Sequence, residues 1–268
     1  MESMKLWENG TPYYNPEYGQ EETTITPYLV KDGNKEKGLV IVCPGGGYSG
    51  RAPHEGEPIA KMLNAAGISA AVLNYRVAPY KHPVMITDAN RAVKFVRYHA
   101  AEWEIDPEKI GILGFSAGGH FAVAACEHYD YGNDNGDEID KMSSRPNAGI
   151  FCYPVATFID EYTHHGTLHN LLGQNPDPEL RSKLSGEQSV PDDCPPIFMW
   201  HTAEDSAVNV NNSLEMGRAL RAKNIPFELH VFPYGFHGLG LANEEPRLNS
   251  HVSQWASLLV NWLKLYKF

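Results

Sequence analysis

Cysteine is scarce and scattered. Cys43, Cys126, Cys152 and Cys194 form no C-x-x-C pair, so a zinc site is not expected and the thiols read as small hydrophobes rather than disulfide partners. No apolar run is long enough to span a bilayer. The opening stretch Met1-Glu2-Ser3-Met4-Lys5-Leu6-Trp7-Glu8 lacks a basic region followed by an apolar one, so a cytoplasmic protein is expected. Positive charge is also in deficit: 22 Lys and Arg against 33 Asp and Glu leave a net charge of −11. That balance argues against nucleic acid or an anionic membrane as a partner. No internal repeat or low-complexity tract occurs. What remains is ordinary: 42% hydrophobic residues in a 268-residue chain can bury a substantial core.

Strand-like and helix-like blocks alternate along the chain. Thr24 to Lys31 reads as a strand leading to a turn at Asp32-Gly33-Asn34. Gly38 to Cys43, Ile68 to Leu73, Lys109 to Leu113, Ala148 to Tyr153, Pro196 to His201 and Phe227 to Phe232 are further apolar-rich strands. Helical spacing covers Glu55 to Ala66, Val84 to Trp103, Gly119 to Cys126, Val208 to Lys223 and Val252 to Leu265. Such alternation predicts an α/β protein, a mostly parallel sheet with helices on both faces. Two stretches interrupt it. Tyr129 to Pro146 is acidic and Gly/Asn-rich and reads as a surface loop; Thr157 to Pro195 reads as a small cap insertion hanging over the site. Residues 1–268 are expected to form one domain carrying that insertion.

The densest signal is Gly114-Phe115-Ser116-Ala117-Gly118, a G-x-S-x-G standing between a strand and a helix. A nucleophile elbow requires that context, because a sharp turn lifts the serine hydroxyl clear of the backbone. A serine hydroxyl needs a base, and the base an orienting carboxylate. Candidates follow in the order acid, then histidine. Asp205 lies just beyond one strand, with Glu204 as an adjacent competitor; His237 lies beyond another, with His201 as its chief rival. Loops at the carboxyl ends of parallel strands converge, so these can meet. Pro44-Gly45-Gly46-Gly47-Tyr48 supplies amides that can approach a developing oxyanion, and the amide of Ala117 is a second donor. The segment lacks the spacing and lysine of a P-loop. His164-His165-Gly166-Thr167-Leu168-His169 includes two histidines one helical turn apart, but no further ligand completes a metal set. Tyr48, Tyr75, Tyr80, Tyr153 and Tyr234, all near strand ends, would suit a sugar face.

Taken in order, Pro44-Gly45-Gly46-Gly47-Tyr48, Asn74-Tyr75-Arg76, Gly114-Phe115-Ser116-Ala117-Gly118-Gly119-His120, the Asp205 loop and Phe232-Pro233-Tyr234-Gly235-Phe236-His237-Gly238 resemble the α/β-hydrolase superfamily. Within it the chain is similar to small esterase/lipase-like proteins described as acetyl xylan esterase-like or carbohydrate esterases. The resemblance runs from about Thr24 onward. It implies an α/β-hydrolase three-layer sandwich, with Ser116 as nucleophile, His237 as base and Asp205 as its acid. It also implies an oxyanion hole from Gly46 or Gly47 and Ala117, and no metal or organic cofactor. Tyr48 and Tyr75 are the expected substrate-binding residues, and an acylated sugar or other small ester the expected substrate. Two departures stand out: Pro44 where relatives often carry histidine, and Asn209 where they often carry proline after the acid. A peptidase of the prolyl oligopeptidase type and a non-catalytic binding protein on the same fold are the alternatives. The sequence leaves open whether the chain acts as a homodimer.

Overall fold

Successive side chains of a strand face opposite ways, and in Leu39–Cys43 both directions are apolar and buried. Leu39, Ile41 and Cys43 enter the core on one side, while Val40 and Val42 enter it on the other. A strand of this kind must lie inside a sheet covered on both faces. The computed structural model describes residues 2–31, 33, 37–159 and 161–268, so Asp32 and Asn34 of the expected turn lie outside the described residues.

Among those residues the strands are β1 (Met4–Lys5), β2 (Thr24–Tyr28), β3 (Leu39–Cys43), β4 (Ser69–Asn74), β5 (Ile110–Phe115), β6 (Ala148–Cys152), β7 (Ile197–Thr202) and β8 (Phe227–Phe232). They form one sheet in the order β1-β2-β4-β3-β5-β6-β7-β8. The pairs β1–β2 and β2–β4 are antiparallel and every other pair is parallel. The helices are α1 (Glu57–Ala65), α2 (Val84–Tyr98), α3 (Ala117–Glu127), α4 (His165–Leu172), α5 (Pro178–Lys183), α6 (Gly186–Ser189), α7 (Asn211–Ala222) and α8 (Trp255–Leu265). Apolar faces of α1 and α8 cover one side of the sheet; those of α2, α3 and α7 cover the other. This is the expected α/β sandwich.

The differences from the sequence reading are local. β1 is two residues long, too short for any periodicity to reveal it. The helix expected to reach Trp103 ends at Tyr98, because His99 caps it and Trp103 folds back, its ring stacked on that of His99. The expected helix from Val208 begins at Asn211, since the residues before it wrap around Asp205. The Tyr129–Pro146 loop is anchored to α2, with Asp137 and Asp140 paired to Arg91 and Asp130 to Lys94. Segment 157–195 carries α4, α5 and α6 between β6 and β7.

Strand order reverses at β3: the chain moves to β4 on one side, then returns to β5 on the other. The loops leaving β3 and β5 therefore diverge and open a crevice at the carboxyl ends of the strands. The glycine segment and Ser116 are the first residues beyond those two strands.

Candidate active site

Ser116 occupies the turn between β5 and α3 with φ 54° and ψ −118°, a conformation that L-residues adopt only under constraint. The constraint is steric. A Cβ on Gly114 would lie 1.8 Å from the carbonyl oxygen of Gly118, and one on Gly118 would lie 2.2 Å from that of Cys43. Only glycine at both positions lets the turn close against β3. Tyr48 beyond β3 and Tyr153 beyond β6 also have positive φ, at 57° and 36°. Three residues with positive φ thus stand at the same end of the sheet.

At that end three side chains from separate loops meet. The Nε2 of His237 lies 2.8 Å from Ser116 Oγ, and its Nδ1 lies 2.6 Å from Asp205 Oδ2. Ser116 and Asp205 are buried, whereas the His237 side chain keeps 21% of its surface exposed. The remaining Asp205 oxygen, Oδ1, accepts hydrogen bonds from the amides of Ala207 and Val208, both at 2.9 Å. Burial works against ionisation of this carboxyl, but hydrogen bonds from His201 and His237 prevail and hold it well below the usual carboxylate range. The structure separates the competitors. Glu204 is turned away and accepts from the amide of Gly235, fixing the loop that carries His237. His201 is fully buried, bonded to Val208 O and Ser213 Oγ, and lies 3.4 Å from Asp205. It supports the carboxylate.

The glycine loop passes close to Ser116, since a Cβ on Gly45 would lie 3.0 Å from Ser116 Cβ, and φ of 137° and 62° at Gly46 and Gly47 turn the chain sharply after β3. The loop is closed by Ser49 N and Gly50 N donating to Gly46 O. Among the described residues no protein group accepts from the amides of Gly46, Gly47 or Ala117. These donors are free for a ligand.

One group escaped the sequence reading. Glu55, read there as an ordinary first residue of a helix, is buried. Its Oε2 accepts from Gly45 N at 2.7 Å and its Oε1 from the Tyr153 hydroxyl at 2.6 Å. Tyr153 in turn accepts from Gly240 N and sets its ring edge-on to His237, centroids 5.1 Å apart. One carboxylate therefore ties the glycine loop to the histidine loop. No periodicity or spacing marks it.

The aromatic expectation needs correcting. Tyr48 and Tyr75 are 1% and 0% exposed, with their hydroxyls bonded to His120 Nδ1 and to Pro44 O. They brace the glycine loop from behind and present no face to a sugar. Tyr80 and Tyr153 are also buried, leaving Tyr234 as the exposed member of the five. Strand ends in this sheet point into packed loops, so proximity to them did not imply exposure. Arg76 of the Asn74-Tyr75-Arg76 segment is likewise internal, paired with Asp88. At the two departures, Pro44 O holds Tyr75, and Asn209 Oδ1 accepts from Asn211 N at the start of α7.

Among the described residues no cluster of His, Cys, Asp or Glu could hold a metal ion, and no helix is long and apolar enough to cross a membrane. The four cysteines are buried free thiols. His164 caps the N-terminus of α4 through Nδ1, bonded to Thr167.

Comparison with known proteins establishes the family and the fold. The BD-FAE family profile matches residues 26–220. Endo-1,4-beta-xylanase B of Butyrivibrio fibrisolvens is 41% identical over 246 residues, which cover 90% of this chain and 38% of that protein. Acetylxylan esterase of Xylanibacter ruminicola is 31% identical over 230 residues, covering 84% of this chain and 45% of that one. The chain thus spans less than half the length of these relatives. A crystal structure of an acetyl ester-xyloside bifunctional hydrolase from Caldicellulosiruptor lactoaceticus superposes with a TM-score of 0.94 at 44% identity, covering 100% of this chain and 97% of the other. By family match, sequence and superposition alike, the chain belongs to the BD-FAE family and has the α/β-hydrolase fold.

Proposed function

We propose that the protein is a serine carboxylic-ester hydrolase that removes acetyl or other short acyl groups from carbohydrate esters. The observation that carries this reading is the continuous chain from Ser116 Oγ through both nitrogens of His237 to Asp205. In the first step Ser116 Oγ attacks the ester carbonyl carbon while His237 Nε2 takes the serine proton. The negative oxygen is held by the amide of Ala117 with that of Gly46 or Gly47. Collapse expels the alcohol, which leaves with the proton from His237, and the acyl group stays on Ser116. Water then attacks the acyl carbon with the same base assisting, and the acid and free serine are released. Asp205 stabilises the imidazolium formed at each stage.

The short-acyl, sugar-ester assignment is supported by the relatives named acetylxylan esterase and acetyl ester-xyloside hydrolase. In this reading the described chain is one catalytic domain acting in the cytoplasm, and segment 157–195 is its cap. The test is hydrolysis of p-nitrophenyl acetate by wild type and Ser116→Ala, followed by acetate release from acetylated xylo-oligosaccharides. Ser116→Ala should lose at least about 10³-fold in kcat while remaining folded. Equal rates in the two proteins would eliminate the serine mechanism. Faster cleavage of long-chain esters or peptide anilides than of acetylated sugar would eliminate the substrate class.

A further inference from the structure

The histidine cluster of segment 157–195 is not used by the chemistry above, yet one member stands beside it. Helix α4 is fixed at its far end by Asn170, whose Nδ2 donates to Gly47 O at 2.8 Å. The chain entering α4 is fixed by Asn212, whose Nδ2 donates to Tyr162 O at 3.1 Å. Asn212 Oδ1 also accepts from the amides of Ala156 and Thr157, joining the start of the insertion to α7 just beyond the Asp205 loop. His164 lies six residues before Asn170, about 9 Å along a helix at 1.5 Å per residue. Helix α4 therefore bridges the glycine loop on one side of Ser116 and the Asp205 loop on the other.

The orientation of the His164 ring is set locally. Thr167 N donates to Nδ1 at 3.2 Å, so Nδ1 is an acceptor and the proton of the neutral ring sits on Nε2. Burial lowers the pKa of the half-buried ring below the ordinary imidazole value, and the Asp205 carboxylate acts in the opposite sense. As the cap of α4, His164 stands at the end of that bridge tied to α7, just beyond the Asp205 loop. Among the described residues nothing accepts from its Nε2–H.

We propose that His164 is a substrate-positioning residue: its Nε2–H donates to an oxygen on the alcohol side of the ester, a sugar hydroxyl or ring oxygen, and holds that sugar over Ser116. This assignment rests on the carbohydrate-esterase reading and gives the cap a specific part in it. A neutral donor suits the task, since sugar oxygens are neutral acceptors and the site must leave His237 alone to carry the proton.

The discriminating variant is His164→Asn. Asparagine keeps a side-chain oxygen that caps α4 at Thr167, but has no group at the distance of Nε2. Two measurements follow. In a Ser116→Ala background, where turnover is slowed at least about 10³-fold, calorimetry with acetylated xylobiose should give a dissociation constant about tenfold higher once His164→Asn is added, the loss expected for one directed hydrogen bond. In the active protein, kcat/KM for acetylated xylobiose should fall by a similar factor, while kcat/KM for p-nitrophenyl acetate, which carries no sugar, changes less than about twofold. Unchanged sugar binding, or an equal loss on both substrates at unaltered Tm, overturns the assignment. Failure of the underlying reading looks different: wild type would then release no acetate from the sugar at all, and acetylated xylobiose would not bind to Ser116→Ala.

Discussion

The two oxygens of Asp205 have unequal surroundings, and Asp205→Asn exploits that. Oδ1 is claimed by two backbone donors, Ala207 N and Val208 N, and Oδ2 by His237 Nδ1. An asparagine must leave its oxygen with the two amides, because turning its NH2 toward them would place donor against donor twice. Its NH2 group then faces Nδ1 of His237 and forces that nitrogen to accept. The ring proton moves to Nε2, 2.8 Å from Ser116 Oγ, where the base must be empty to take the serine proton. A base locked in the wrong tautomer loses about 10⁴ in kcat, or about 5.5 kcal/mol of transition-state stabilisation. Side-chain volume hardly changes, so the fold and Tm should persist. The assay is kcat for p-nitrophenyl acetate from pH 6 to 9, with circular dichroism as the folding control. A folded variant that retained more than about one-tenth of wild-type kcat would refute the tautomer argument.

Two further outcomes follow from packing and charge. Gly118→Ala places a methyl 2.2 Å from Cys43 O and 2.6 Å from Pro44 O, both backbone atoms that cannot yield. We expect a loss of at least about 4 kcal/mol, seen as insoluble protein or a Tm lowered by about 10 °C or more; a soluble variant with wild-type Tm would contradict the close approach. His120 is buried between the Tyr48 hydroxyl and Leu184 O, and burial lowers its pKa from 6.5 to about 4. The unfolded chain takes up a proton below pH 6.5 that the folded one refuses, so stability falls as pH drops from about 6.5 to about 4 and this contribution levels off below. The effect is on the order of 3 kcal/mol. Urea midpoints at pH 7.5 and 4.5 should differ less in His120→Gln than in wild type, and parallel shifts would dismiss the assignment.

The motifs that could be read in the sequence are those whose physics is local. G-x-S-x-G announces an elbow because the turn tolerates no Cβ beside it, and the strand and helix around it are written in adjacent residues. Asp205 and His237 were visible because each follows an apolar strand, and parallel sheets gather such positions at one end. Glu55 was hidden: its partners, Gly45 and Tyr153, are 10 and 98 residues away, and no pattern in one chain records a contact across that distance. The tyrosines misled for the same reason, since their types favour a sugar face but burial decides availability.

Order of elements, the serine elbow and the glycine loop were therefore determined by the sequence, through steric and hydrophobic rules that act over a few residues. Only the tertiary structure decided which carboxylate serves His237, which histidine merely supports Asp205, and which aromatic rings face solvent. Those choices depend on distances between loops that the sheet brings together, and such distances are fixed by packing of the whole core.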